Sequence, residues 1–115
     1  MPRPTLDSAN LAKACNEALV LACLEAGPMH GYQIATHIQE RGGGFFNFKH
    51  GTLYPILHRL EKGGLIKGQW SDEGPRGRRK SYALTRKGQV YAKGLKESWA
   101  DFIGHFTELV DLEGS

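Results

Sequence analysis

The stretch GTLYPILHRLEKGGLI, residues 51–66, contains polar side chains that can contact DNA. An arginine guanidinium can pair with guanine or with a phosphate, threonine and tyrosine hydroxyls can donate to phosphates, and a histidine ring can do either. The candidates are Thr52, Tyr54, His58 and Arg59. Considered alone, the pattern fits a solvated surface equally well, because most amphipathic helices have a polar face.

A block of positive charge follows this stretch. Between Gly74 and Lys96 the chain has eight lysines and arginines and no aspartate or glutamate. The first four lie in or beside a loop rich in glycine and proline, and they are Arg76, Arg78, Arg79 and Lys80. Such groups can neutralise phosphates, although they also keep an unpartnered loop soluble. The net charge of +3 over 115 residues permits nucleic-acid binding without establishing it.

The element that positions the first group is predicted from its apolar residues. At about 100° per residue these fall on one face, which is the pattern of a helix docked on a core. They are Leu53, Ile56, Leu57 and Leu60. Proline is tolerated only in the first turn, so Pro55 predicts that this helix begins at about residues 50 to 53. Two helices precede it: the first is capped by Asp7 or Ser8, and the second begins near His30.

The basic block is predicted to lie on a hairpin and on the helix that follows it. The segments LIKGQWS and RKSYALT alternate in polarity and flank the loop DEGPRGR, which indicates an antiparallel hairpin with a basic tip. Thr85 can cap a last helix whose apolar residues are spaced 3, 4, 3, 4 and 3 apart. We call these residues the apolar seam: Ala92, Leu95, Trp99, Phe102, Phe106 and Leu109. Ile103 and Val110 widen the seam, which suggests that a second subunit covers it.

The order of helix, helix, helix, hairpin and long helix predicts a mainly α fold with a small β-hairpin. We expect a winged helix-turn-helix over residues 1–84 and a C-terminal dimerisation helix over 85–115, packed as one compact unit. A helix about 10 to 12 Å wide fits the major groove of DNA, where its polar side chains reach base edges.

Catalysis, metal binding and membrane insertion have little support in the sequence. The five histidines and two cysteines lack zinc spacing, and there are no paired carboxylates, phosphate-binding glycine loop or nucleophile motif. We therefore expect no enzyme activity and no cofactor. The longest apolar run, residues 18–24, is too short to cross a bilayer, and the N-terminus does not read as a signal peptide. A cytoplasmic protein is expected.

Three motifs resemble the PadR family of transcriptional regulators. GPMHGYQIA is similar to the family's connection between its first two helices, GTLYPILHRLEKGGLI to its recognition helix, and GRRKSYALTRKG to its hairpin and following turn. Together they cover most of residues 15–90 in the right order. The short length resembles the compact subgroup with one helix after the hairpin.

The resemblance implies a homodimer joined through its first and last helices, with two recognition helices in successive major grooves of a roughly palindromic operator. It also implies a repressor that releases the operator when a small molecule binds. The DNA contacts predicted from the motifs and the residue types together are Tyr32, Gln33, His50, Thr52, Tyr54, His58, Arg59, Arg76, Arg78, Arg79 and Lys80. Gly31 and Pro55 are expected to shape the starts of the second and third helices.

Two other functions stay open for this sequence. In a multidrug-binding subgroup of the family, a tryptophan at a similar place in the last helix stacks on planar compounds. In this sequence, the residues predicted to form a dimer or effector interface are Leu95, Trp99, Phe102, Phe106 and Leu109. The simpler interpretation is that these side chains fill the dimer interface. A winged helix can also serve as a protein-interaction module, for which a basic hairpin is not needed.

Overall fold

The computed structural model describes the backbone of residues 8–44, 46, 48, 50–71 and 79–110, and their side chains from Cys15 onward except that of His50. The elements in chain order are α1 (Ser8–Glu25), β1 (Met29–His30), α2 (Gly31–Arg41), α3 (His50–Lys62), β2 (Ile66–Ser71), β3 (Arg79–Leu84) and α4 (Arg86–Val110). This order confirms a mainly helical winged helix-turn-helix with a long last helix. Asp7, one of the two predicted caps of α1, lies outside the described residues.

The hydrophobic core lies between α1, α2, α3 and the base of the hairpin. The apolar face predicted for α3 is confirmed, since all four of its residues are buried. They pack with side chains from the neighbouring elements, namely Val20, Leu21, Cys23, Leu24, Ile34, Ile38, Ile66, Tyr82 and Ala92. Burial raises the pKa of Cys23 to about 11, so this thiol stays protonated and belongs to the core as expected.

Glycines end α2 and let the chain turn back toward α3. Gly43 and Gly44 have φ angles of 61° and 81°, in the left-handed region that glycine adopts without steric cost. Phe46 and Phe48 follow, and both are partly buried against the core. These two side chains therefore pack on the core between α2 and α3.

The hairpin is part of a three-stranded antiparallel sheet with the order β1-β3-β2. The predicted antiparallel pairing of the two segments is confirmed, and in the observed register Ile66 pairs with Leu84 and Gly68 with Tyr82. Strand β1 was not predicted, because two residues after a proline give no periodic signal. It pairs His30 with Ser81, which joins the start of α2 to the central strand.

The first turn of α4 is held tightly at the base of the hairpin. Thr85 caps the helix as predicted, because its Oγ1 accepts the Gly88 N–H at 3.0 Å. The same hydroxyl donates to the Gly64 carbonyl at 2.6 Å, and the Thr85 N–H donates to the Leu65 carbonyl at 3.1 Å. Gly88 is buried against that carbonyl, and a Cβ on Gly88 would overlap the Leu65 oxygen.

The first half of α4 packs along α1, and the second half extends beyond it. The Tyr91 hydroxyl donates to the Glu17 Oε1 at 2.5 Å, and the Lys96 Nζ lies 3.6 Å from the Glu25 Oε1. Beyond Trp99 the apolar side chains of α4 are exposed, with Phe102 58% and Leu109 87% accessible. This end of α4 is therefore uncovered in a single chain.

Among the described residues, no helix is long and apolar enough to cross a membrane.

Candidate nucleic-acid interface

The polar residues of α3 form one exposed surface opposite its buried face. Thr52, Tyr54, His58 and Arg59 are all exposed, so the structure brings four predicted DNA contacts together on one helix. The helix begins at His50, within the predicted range, but Pro55 then lies in its second turn and not in the first as expected; Pro55 is exposed. His50 begins the helix, but its side chain lies outside the described part of the chain. The apolar residues of the other face are buried in the core, so the polar residues of α3 lie on its exposed side.

A glycine lets the start of α2 approach this surface closely. A Cβ on Gly31 would lie 3.1 Å from the Tyr54 hydroxyl oxygen and 3.3 Å from two of its ring carbons. The Tyr54 ring therefore lies against the Gly31 backbone, where a larger residue would displace it. The sequence predicts that Gly31 shapes the start of α2, and the structure adds a contact between α2 and α3. Tyr32, the next residue, is 70% exposed beside it.

Gln33 has an intramolecular role that the sequence analysis did not assign. Its Oε1 accepts the His30 N–H at 2.8 Å, which satisfies a backbone donor at the start of α2. The spacing of three residues between the cap position and a glutamine is a sequence signal for this bond. As a DNA contact Gln33 stays a prediction, and its amide oxygen is already in use.

The start of α2, Tyr54 and the hairpin line an open cavity with a volume of about 800 Å³. It brings together five predicted contacts with four other residues, and its lining is His30, Gly31, Tyr32, Gln33, Tyr54, Trp70, Arg79, Lys80 and Tyr82. Thr52, His58 and Arg59 lie outside it. Trp70 was missed by the sequence analysis, although its place in the strand before a basic loop was a usable signal. It is 54% exposed.

The predicted hairpin cations differ in their surroundings. Arg79 is exposed at the start of β3, whereas Lys80 is partly buried. The Lys80 ammonium donates to Glu61 at 2.9 Å, and this hydrogen bond raises the pKa of Lys80 and lowers that of Glu61. Both shifts favour the charged forms, so the pair stays ionised at neutral pH. Arg76 and Arg78 lie outside the described residues.

The apolar seam borders a groove between α1 and α4. Trp99 and Phe102 meet edge to face with their centroids 5.9 Å apart, and Phe102 stacks on Phe106 at 6.0 Å. The groove has a volume of about 430 Å³, and Cys15, Leu19 and Phe46 contribute to its other side. Leu95 is partly buried against the core, while Phe106 and Leu109 are exposed. The five residues predicted for the dimer or effector interface thus follow one side of α4.

The fold and these two surfaces define a winged helix-turn-helix protein with an exposed third helix and a long, partly uncovered last helix. The chain belongs to the PadR-like family of transcriptional regulators, whose family model matches residues 20–94. It is therefore a regulator of transcription and not an enzyme.

Curated relatives agree with this family. Protein X of Lysinibacillus sphaericus, which is uncharacterised, is 31% identical over 96 residues, or 84% of each chain. The negative transcriptional regulator PadR of Bacillus subtilis (strain 168) is 33% identical over 70 residues. That match covers 61% of this chain and 38% of the Bacillus subtilis regulator, so this chain spans less than half the length of that relative.

Solved structures show the same architecture. A transcriptional regulator from Clostridium thermocellum has a TM-score of 0.81 and 28% identity, with 91% of this chain and 99% of that chain covered. The crystal structure of Bacillus subtilis PadR in complex with operator DNA has a TM-score of 0.64 and 29% identity, with 70% of this chain and 44% of that chain covered.

Proposed function

We propose that this protein is a dimeric, sequence-specific DNA-binding regulator that acts as a repressor and is released by a small-molecule effector. The observation that carries the proposal is the exposed polar face of α3, held in place by four buried apolar residues on its other side. An α-helix fits the major groove of DNA, and side chains on its outer face reach base edges there.

Side-chain chemistry divides the work between reading bases and gripping the backbone. Arg59 is the candidate for a bidentate pair with guanine, and His58 lies one residue before it on the exposed side of α3. Tyr32, Thr52 and Tyr54 carry hydroxyls that suit phosphate oxygens. Arg79, at the start of β3, adds a cation from the hairpin that suits a phosphate. Arg76, Arg78 and His50 stay predicted DNA contacts.

The dimer is inferred from the uncovered end of α4. Phe102, Ile103, Phe106, Leu109 and Val110 are all between 45% and 87% exposed, which is costly for a lone helix in water. A second copy would cover them along the seam and the groove beside α1. A two-fold dimer places two copies of α3 about 34 to 36 Å apart, one turn of DNA, and so matches a roughly palindromic operator.

The relatives support the finer parts of the proposal. Bacillus subtilis PadR is named a negative regulator and has been solved in complex with operator DNA. We carry repression and operator binding to this chain on that basis. We keep residues 1–84 as the DNA-binding part, 85–115 as the dimerisation part, and a cytoplasmic location as elements of the proposal.

The test is a binding-site selection from random duplexes, followed by affinity measurements on the selected site and on DNA upstream of the protein's own gene. We expect one enriched palindromic sequence. Arg59→Ala should cost about 1 to 3 kcal/mol of binding free energy and relax the preference at one base pair. Arg79→Ala should weaken all sequences alike and reduce the salt slope by about one. Both are measured by fluorescence anisotropy at several salt concentrations.

Lys93→Ala is the matched control, because Lys93 is an exposed cation on α4 outside the proposed interface. It should leave both the affinity and the salt slope close to those of the unmodified protein. If no sequence is enriched and no nearby promoter gives a salt-sensitive, site-specific complex, the regulator does not act through DNA in this way. A protein-interaction module would then be the better interpretation.

The groove beside Trp99 favours a second candidate function, the sensing of planar aromatic compounds. Trp99 is half-buried at the edge of an apolar groove, and its ring meets Phe102 edge to face. Aromatic side chains arranged in this way can stack on a flat ligand. The same side chains can instead be covered by the second copy alone.

Trp99 fluorescence separates these two possibilities. In a Trp70→Phe background Trp99 is the remaining tryptophan, and titration with 9-aminoacridine should quench its emission to saturation if the groove binds planar compounds. A Trp99→Phe variant, which keeps Trp70, is the control and should show no saturable quenching. Unchanged Trp99 emission across the titration would remove the main support for an aromatic sensor.

A further inference from the structure

Glu61, on α3, connects the third helix to both strands of the hairpin. Its Oε1 accepts the Lys80 ammonium of β3 at 2.9 Å, and its Oε2 accepts the Gly68 N–H of β2 at 3.2 Å. One carboxylate on α3 is therefore hydrogen-bonded to both strands of the hairpin.

The surroundings of Lys80 are shaped to hold it in this position. Its ammonium lies 5.6 Å from the centre of the Trp70 ring and 5.3 Å from that of Tyr82, within the range of cation–π attraction. A Cβ on Gly68 would overlap the Lys80 Cε and come within 2.8 Å of the Glu61 Oε2. The lack of a side chain at Gly68 thus leaves the space through which Lys80 reaches Glu61.

The ion pair also makes Arg79 and Lys80 differ in how well each can contact DNA. Arg79 is exposed and can extend toward a phosphate, whereas Lys80 has a carboxylate and two aromatic rings around its charge. A lysine held in this way contributes less to binding a polyanion than an unpaired one. It is better suited to fixing the direction in which the hairpin leaves α3.

We infer that Glu61 is a positioning residue for DNA binding: through Lys80 and the Gly68 N–H it fixes the hairpin relative to α3, so that both reach one half-site together. This inference rests on the proposed function. Lys80, which the sequence analysis placed among the DNA contacts, acts within this junction. A preorganised hairpin does not have to be ordered when DNA binds, and the affinity is higher for that reason.

The test uses Glu61→Gln, which keeps the shape and can still accept the Gly68 N–H but loses the charge. Affinity for the selected duplex should fall roughly tenfold, because the hairpin must then be ordered on binding. Lys80→Met, which keeps most of the stem, should give a similar fall with an unchanged salt slope, and the double variant should lose little more than either single one. Glu40→Gln, an exposed carboxylate on α2, is the matched control.

A positioning role and a simple charge effect predict opposite results. If Glu61 acted only as a negative charge near DNA, Glu61→Gln would bind more tightly. If Lys80 were a phosphate contact, Lys80→Met would reduce the salt slope by about one. Either result, or additive losses in the double variant, would overturn the inference.

A readout without DNA keeps the inference separate from the proposed function. In protein labelled with 5-fluorotryptophan, the ¹⁹F resonance of Trp70, assigned with Trp70→Phe, should shift or broaden in both Glu61→Gln and Lys80→Met, while that of Trp99 stays in place. A Trp70 resonance unchanged in both variants would contradict the positioning role even if DNA binding is specific. If the unmodified protein binds no specific DNA, the proposed function fails, and the ¹⁹F spectra still decide whether the ion pair orders the hairpin.

Discussion

Replacing Gly88 with alanine should lower the free energy of unfolding by about 2 to 3 kcal/mol. Gly88 lies in the first turn of α4 directly against the Leu65 carbonyl, and an added Cβ would overlap that oxygen. The obstacle is backbone, which cannot move aside as the end of a flexible side chain can. To relieve the overlap, α4 must shift away from the turn before β2, and the bonds of Thr85 to Gly64 and Leu65 must lengthen.

The measurement is urea denaturation followed by circular dichroism, at a fixed protein concentration because association adds to apparent stability. Gly94→Ala is the matched control in the same helix, where an added Cβ would meet no atom of the described residues within 4 Å. It should be neutral or stabilising by up to about 1 kcal/mol, since alanine favours helix over glycine. Equal effects of the two substitutions would mean that α4 does not cross the turn as closely as described.

Phe102→Asp should convert the proposed dimer to monomers or aggregates and reduce affinity for the selected duplex by about a hundredfold or more. The substitution places a carboxylate where the proposed interface is apolar, next to Trp99 and Phe106. Dehydrating an unpaired charge costs several kcal/mol, so the seam could not close. A monomer would then hold one half-site and lose the gain from binding two at once.

Sedimentation velocity gives the oligomeric state, and fluorescence anisotropy on the selected duplex gives the affinity. Phe102→Leu is the control, because it keeps the residue apolar and should keep the dimer. A Phe102→Asp protein that stays a soluble dimer would contradict the assignment of the seam to the interface. A stable monomer with normal operator affinity would contradict the need for two half-sites.

The parts of this fold that could be predicted are those whose residues recur at regular spacing within one element or between neighbouring elements. The buried face of α3, the antiparallel hairpin and the Thr85 cap each follow from spacing within one or two elements. The apolar seam of α4 could be predicted for the same reason, because its residues recur every three or four positions; its first residues, Ala92 and Leu95, pack against the core, and those beyond Trp99 are exposed. Such patterns need no knowledge of how distant segments meet.

The contacts that escaped prediction join residues far apart in the sequence. Glu61 and Lys80 are 19 residues apart, and their pairing depends on how the hairpin folds back over α3. Tyr54 against Gly31 and Gly88 against Leu65 depend equally on packing between elements. Strand β1 was missed because two residues are too few to show alternation, and because its partner β3 lies far along the chain.

The short connection between the sheet and the last helix has a mechanical consequence. Thr85 is the only residue between β3 and α4, and it is bonded to the turn before β2 through both its N–H and its hydroxyl. Because one hydrogen-bonded residue connects the two elements, a rotation of α4 about its first turn should move the hairpin together with the helix. Whatever changes the angle between the two α4 helices of a dimer would thereby change the distance between the two hairpins along the DNA.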